Sequence, residues 1–275
     1  MPRPPRLALL AALLTVPALV WSAAPSQTDV RVVSYNIKHG QGNDQVVDLE
    51  RTAGVLRALT PDIVGLQEVD DRATRSGGVP QAERLGERLG MQHAFGKFMD
   101  FQGGAYGMAI LSRYPIVSTR EVQLPDGNEP RVALAVEVRL PGDRPLTIVN
   151  VHFDWVRDDG FRYAQAETLT KYLDALETPY ILLGDFNDVR ESRTLQLFFS
   201  RAAEAAKPAD DLLTFSSTDP RREIDFIFYS PASAFSAGEV RVIDEPVASD
   251  HRPVLAVLRA ARHGHAHDVE IVDDH

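Results

Sequence analysis

Short apolar runs that end on small or polar residues recur along most of this chain, and they leave it few folds to choose from. Val30 to Tyr35, Ile63 to Leu66, Met108 to Leu111, Ile116 to Val122, Leu146 to Val151, Tyr180 to Leu183, Ile224 to Tyr229, Val240 to Ile243 and Val254 to Leu258 all have strand length and strand composition. Between Val132 and Val138 the period is two: Val132, Leu134, Val136 and Val138 share one face, and Ala133, Ala135 and Glu137 share the other. Helical spacing is rarer. Val46, Leu49, Ala53 and Leu56 carry it up to the Thr60-Pro61 break. Ala82, Leu85 and Leu89 carry it up to a glycine cap at Gly90, and Tyr163, Ala166, Leu169, Leu173 and Leu176 carry it once more. The stretch from Arg201 to Ser217 is poorly patterned and is expected to hold a short helix and a loop. Many strands with few helices predict an α/β fold in one domain over residues 28–260, with two packed mixed β-sheets flanked by helices.

The two ends read differently. Arg3 and Arg6 precede an apolar run from Leu7 to Trp21, followed by Ser22-Ala-Ala, the pattern of a signal peptide over residues 1–24. The run is shorter than the ~20 residues of a spanning helix, and Pro17 interrupts it. A secreted or periplasmic protein without a stable membrane span is therefore expected, acting as a monomer. Residues 262–275 are polar and contain His263, His265, His267 and His275. Such a tail can bind metal, and it is expected here to be solvated and disordered. Because the chain has no cysteine, it has no disulfide, thiolate nucleophile or cysteine zinc site. A net charge of −10 gives no basic surface for nucleic acid, so such a partner remains possible without being preferred.

Polar residues gather where the apolar runs stop. The run Tyr180-Ile-Leu-Leu-Gly-Asp-Phe-Asn ends on Asp185 and Asn187. Ser34-Tyr-Asn places Asn36 at a strand end, and Gly65-Leu-Gln-Glu-Val places Glu68 beyond another. Asn150 and His152 share one face in Asn-Val-His, and Asp225 lies within Ile-Asp-Phe-Ile-Phe. Ser-Asp-His-Arg-Pro carries Asp250 and His251 into the last strand. Taken singly, such residues are usually solvated turn residues. Asp225 is the exception, since a charge among apolar neighbours is costly unless it is paired or metal-bound. Together Asn36, Glu68, Asp185, Asn187 and Asp250 are oxygen donors suited to a hard cation such as magnesium. His152 and His251 can move protons near neutral pH. With no serine or cysteine nucleophile motif, the set points to metal-assisted attack of water on phosphorus.

Over Val30 to Leu258 these motifs, in this order, resemble the endonuclease/exonuclease/phosphatase superfamily, which includes deoxyribonucleases, abasic-site endonucleases, inositol polyphosphate phosphatases and neutral sphingomyelinases. The resemblance implies a four-layered α/β sandwich and a divalent-metal-dependent phosphoesterase using Mg2+ or Mn2+. It implies that Glu68 holds the metal, assisted by Asn36 and Asp250, and that Asp185 and Asn187 orient water and phosphate. His251, paired with Asp225, would touch the phosphate or act as base, and His152 would be the partner acid. His152 leans away from the abasic-site branch, which generally lacks it. Asn150, Arg131 and Tyr106 are expected to touch the substrate; for Arg131 a plain salt bridge is an equal reading. Arg221 and Arg222 could also meet an anion, although an exposed pair is the commoner arrangement. The expected substrate is a small-molecule or lipid-linked phosphoester, diester or monoester. The alternatives are a secreted non-specific endonuclease and a non-catalytic binding protein on the same fold.

Overall fold

The computed structural model describes residues 28–261. The expected signal peptide and the histidine-rich tail lie outside the described residues. In chain order the elements are β1 (Thr28–Asn36), α1 (Leu49–Leu59), β2 (Ile63–Asp71), α2 (Gln81–Leu89), β3 (Gln92–Phe101), β4 (Gly104–Ser112), β5 (Ile116–Gln123), β6 (Val132–Leu140), β7 (Arg144–His152), α3 (Gly160–Asp174), β8 (Tyr180–Asp185), α4 (Arg193–Phe199), β9 (Ala203–Glu204), β10 (Asp225–Ser230), β11 (Phe235–Val242) and β12 (Val254–Ala260). The strands form two six-stranded sheets, ordered β11-β12-β1-β2-β4-β3 and β5-β6-β7-β8-β10-β9. The pairs β1–β2 and β7–β8 run parallel, and the other pairings are antiparallel, so both sheets are mixed.

The two-residue period explains the layering. Inward residues such as Val32, Ile63, Ile110, Leu134, Ile148, Leu183 and Ile227 meet between the sheets. Their outward neighbours on the first sheet, among them Tyr35, Leu66 and Leu111, bury Ala53, Leu56 and Leu85 of α1 and α2. Those on the second sheet, among them Val149, Leu182 and Phe226, bury Leu169 of α3 and Phe198 of α4. Helix, sheet, sheet and helix make the four-layered sandwich. As predicted, β6 sends Val132, Leu134, Val136 and Val138 inward, while Ala133 and Ala135 face the helices. Asp48 caps α1 by accepting the Arg51 amide at 3.0 Å, and Gly90 closes α2 in a left-handed turn.

Two local expectations are corrected. The helix placed after Arg201 lies before it, as α4, capped by the Ser192 hydroxyl. It is only seven residues long, too short for a clear period, and beyond it lie the two-residue strand β9 and a loop. Strand β3 was not expected from the sequence. Polar residues interrupt its apolar positions, and a bulge between Lys97 and Met99 resets its register against β4.

Gly184 shows how tightly β7 and β8 approach. Its φ is +146°, and a Cβ there would sit 2.0 Å from the Val151 carbonyl oxygen, backbone that cannot swing away. Gly184→Ala is expected to destabilise the protein by about 3 kcal/mol. Urea unfolding measures this, and a midpoint equal to wild type would show that the strands can part at no cost.

Candidate active site

The two parallel pairs point their carboxyl ends at the same edge of the sandwich, and there the inward-facing positions change from apolar to polar. In β7 the inward series is Ile148, Asn150, His152; in β8 it is Ile181, Leu183, Asp185. The register sets His152 beside Asp185 and Asp185 beside Asp225, so three polar side chains stand in a row across adjacent strands. From the other sheet, β1 ends on Asn36. Glu68 comes from a bulge in β2, where the register against β4 shifts between Gln67 and Val69 and Glu68 takes a φ of 55°. The bulge swings Glu68 off the strand's alternation and into the site. The loop before β12 supplies Asp250 and His251.

Of these residues Glu68, His152, Asp185, Asp250 and His251 line a cavity of about 360 Å³. Buried Asn36 donates its amide nitrogen to Glu68 Oε1 at 3.0 Å and to Asp185 Oδ2 at 3.1 Å, joining the two sheets. His251 Nδ1 lies 3.0 Å from Asp225 Oδ2, and its Nε2 lies 3.5 Å from Asp185 Oδ2. His152 Nε2 approaches the same Asp185 oxygen at 3.6 Å. Asp185 Oδ1 accepts the Asn187 backbone amide at 2.9 Å, and Asn187 Nδ2 donates to the Phe153 carbonyl. Asp225, the charge that seemed misplaced in its apolar run, is thus buried against an imidazole that can carry the opposite charge.

Burial and neighbouring charge divide the titrating groups. Burial alone would lower His251, but the carboxylates of Asp225 and Asp185 outweigh it and push the imidazole up to about 10. Burial lowers His152 well below its ordinary value, helped by Arg131 and His251, so it is neutral. Burial also raises Asp185, against the pull of His251 and with the push of Asp225. Glu68 is raised by burial too, a pressure that its bond from Asn36 opposes. Groups with such divergent proton affinities in one cavity are the usual mark of acid–base chemistry.

Several expected contacts are placed differently. Asn150 does not reach the cavity. Its amide donates to the Leu66 and Ala109 carbonyls, both at 2.9 Å, and its oxygen accepts Gln67 Nε2 at 2.7 Å. With its donors and its oxygen engaged between the sheets, Asn150 braces the sandwich. The Asn36 oxygen accepts the Lys38 amide at 3.1 Å, while its amide nitrogen orients the two carboxylates. For Arg131 the salt-bridge reading is the one observed. Its side chain is almost fully buried, pairs with Glu129 at 2.9 Å and lies over the Phe98 ring, yet Nε and Nη1 have no partner, and the residue lines the cavity. Tyr106 is on the cavity wall. Of the arginine pair, Arg222 lines the cavity, while Arg221 pairs with Asp219 in solvent.

Sequence reasoning missed Trp155, Glu129 and Phe215, which also line the cavity. Phe215 packs on His251 with ring centroids 4.9 Å apart. All three lie in loops, where no periodicity marks them; for Trp155 and Phe215 the available signal was a large aromatic in an otherwise polar segment, and for Glu129 there was none. A divalent cation suits this donor set. Glu68 and Asp250 put carboxylates on the cavity wall, and beside them Asp185, Asp225 and His251, whose ligand atoms fall within 4.8 Å of one another, are joined as an ion-paired row.

A model of the Endonuclease/Exonuclease/phosphatase family matches residues 33–251. The chain belongs to this family. Its members are hydrolases acting on phosphoester bonds. The chain is 28% identical over 258 residues to the uncharacterized protein YbhP of Escherichia coli, covering 85% of this chain and 99% of that one. Among solved structures, an endonuclease/exonuclease/phosphatase from Beutenbergia cavernae superposes with a TM-score of 0.69 at 25% identity, covering 85% of this chain and 72% of its own. A mannosyl-6-phosphatase from Bacteroides thetaiotaomicron shares the fold at 20% identity and a TM-score of 0.70, over 83% and 99% of the two chains.

For this family member the His251–Asp225 pair gives a direct test. In metal-free protein His251 is expected to keep its proton to a pH near 10, where a free imidazole loses it near 6.5. Asp225→Asn removes one raising charge and should bring that titration down. Histidine NMR resonances report both, and a His251 titration near 6.5 in the wild type would contradict the pairing.

Proposed function

We propose that this protein is a divalent-metal-dependent phosphoesterase that cleaves a small or lipid-linked phosphoester by in-line attack of water. The observation that carries this reading is the cavity wall, where Arg131 and a charged His251 stand beside His152 and the carboxylates of Glu68, Asp185 and Asp250. Two cations on one cavity wall suit an anion with several acceptors, and a phosphoryl group is one.

The roles come from position and charge. Arg131 and His251 would hold the phosphoryl oxygens and offset the negative charge that grows on them. Asp185, raised by burial and anchored by the Asn187 amide, would take a proton from the attacking water. Neutral His152, beside Asp185, would orient that water or pass a proton to the leaving oxygen once an anion sits next to it. Glu68, with Asp250 and the Asn36 amide steering it, would hold the cation. When bound, Mg2+ or Mn2+ would supply Lewis-acid stabilisation of the phosphoryl oxygens. The Arg3–Arg6 start and the apolar run after it support export, which N-terminal sequencing of protein recovered outside the cytoplasm would check.

Turnover on a phosphoester panel is expected to vanish in excess chelator and to return with magnesium or manganese. Full turnover after chelation and dialysis would sink the metal role. Glu68→Gln should keep the melting temperature and need far more magnesium. His251→Ala and His152→Ala should each cut kcat by about 10²–10⁴-fold. Near-normal kcat in either variant would make that histidine structural. Plasmid DNA offered in competition should be cut less efficiently than small esters, because 39 acidic residues face 29 basic ones. The opposite ranking would favour a nuclease.

A further inference from the structure

The cavity has a second half that the phosphoryl chemistry does not use. Trp155 stands on its wall with 60% of its surface exposed, although large aromatics usually hide most of theirs. It is also the one tryptophan among the described residues. Exposure alone would mean little, but the backbone beneath this indole is built with buried charged groups.

Asp154 is fully buried, and its carboxylate accepts the Asn128 amide at 2.6 Å and the Val156 amide at 3.0 Å. Buried Arg162 donates Nη1 to the carbonyls on both sides of the tryptophan, those of Asp154 and Val156, and turns Nε to Asp188 at 3.3 Å. Gln165 takes the Asp154 amide and donates to the Pro125 carbonyl. Loop 124–130 is therefore welded to loop 153–156, and the contact is close: a Cβ on Gly127 would sit 2.3 Å from Asp154 Oδ2. The welded loop brings Glu129 to the same cavity. Glu129 commits one oxygen to Arg131 and keeps its side chain 31% exposed. A rigid aromatic face and a half-open carboxylate thus flank the phosphoryl site, and both are held before any ligand arrives.

We propose that Trp155 and Glu129 form the subsite for the alcohol part of the ester, and that this part is a saturated six-membered polyol ring, as in a hexose or a cyclitol. An ionised carboxylate only accepts, so its partner must donate hydrogen bonds. An indole face asks for a flat apolar surface. A ring polyol offers both, with C–H groups on its face and hydroxyls around its edge. An acyl chain has no donors, and an open-chain alcohol has no face. A nucleobase also has a flat face with donors on its edge, and the adenosine ester in the assay is its test.

The proposal rests on the phosphoesterase reading, and the test separates the two. The full chain with magnesium or manganese is assayed on glucose 6-phosphate, myo-inositol 1-phosphate, glycerol 3-phosphate and adenosine 5′-monophosphate, each also as its methyl diester. Wild type should favour a ring polyol over glycerol in kcat/KM by about tenfold or more, the size of one stacking contact. Trp155→Ala and Glu129→Gln should each erase most of that ratio, and Trp155→Phe should keep part of it. The ratio is the readout because Glu129 also holds Arg131; unfolding curves show that the variants fold. Glucose and inositol esters separate a hexose site from a cyclitol site. Equal turnover of all esters, a ring preference that survives both variants, or a preference for the nucleotide would overturn the subsite and leave the phosphoesterase standing. If nothing is turned over, the phosphoesterase reading falls, and tryptophan fluorescence decides the subsite. Quenching by the two ring monoesters with Kd about tenfold below that of inorganic phosphate, lost in Trp155→Phe, supports it. Equal Kd values overturn it.

Discussion

One amide sits where the two sheets share their chemistry. Asn36 Nδ2 donates to Glu68 from its own sheet and to Asp185 from the facing one. Two carboxylates drawn together in a mostly buried space repel each other and lose hydration, and burial raises both. A neutral double donor between them satisfies an oxygen on each without cancelling the charge that the site needs. Lysine in that place would neutralise the site, and an apolar residue would leave both oxygens bare. The bond also fixes the spacing of the sheets at the mouth, as the Asn150–Gln67 pair does deeper between them.

Behind this amide the architecture is a rule of alternation carried to its end. Inward residues are apolar along most of each strand, then polar at the last position before the edge, as in Ile181, Leu183 and Asp185. The strand gives these groups rigidity, and register gives them neighbours. That is how His152, Asp185 and Asp225, distant in sequence, come to stand side by side. That row depends on backbone pairing, and the loop before β12 adds Asp250 and His251 to it.

The same rule explains what could be read from the sequence. The β6 alternation, the Gly90 cap and the strand-end motifs are local patterns, so the two-sheet fold and the polar cluster were legible in the order of residues alone. Asn150 was not, because its partners Leu66, Ala109 and Gln67 lie on other strands; inward-facing in sequence did not reveal which inward depth it occupied. Strand β3 hid behind a bulge, and α4 was too short to show a period. Trp155 and Glu129 sit on loops welded by Asp154 and Arg162, contacts that no spacing encodes.

This difference in legibility has a physical source. Asn36, His152, Asp185 and Asp225 are placed by strands, whose geometry repeats and so leaves a trace in the sequence. The walls that meet the rest of a ligand are placed by loops, each held through individual hydrogen bonds to buried side chains. Loops can therefore change what the cavity accepts while the row of His152, Asp185 and Asp225 stays where its register puts it. Arg131 stands at the boundary of the two regimes: it immediately precedes β6, lines the cavity, and is gripped by Glu129 from the same loop. Under the proposed function, a change in the loop that shapes the ligand wall would also reach Arg131 through that one ion pair, and specificity and rate would be coupled there rather than independent.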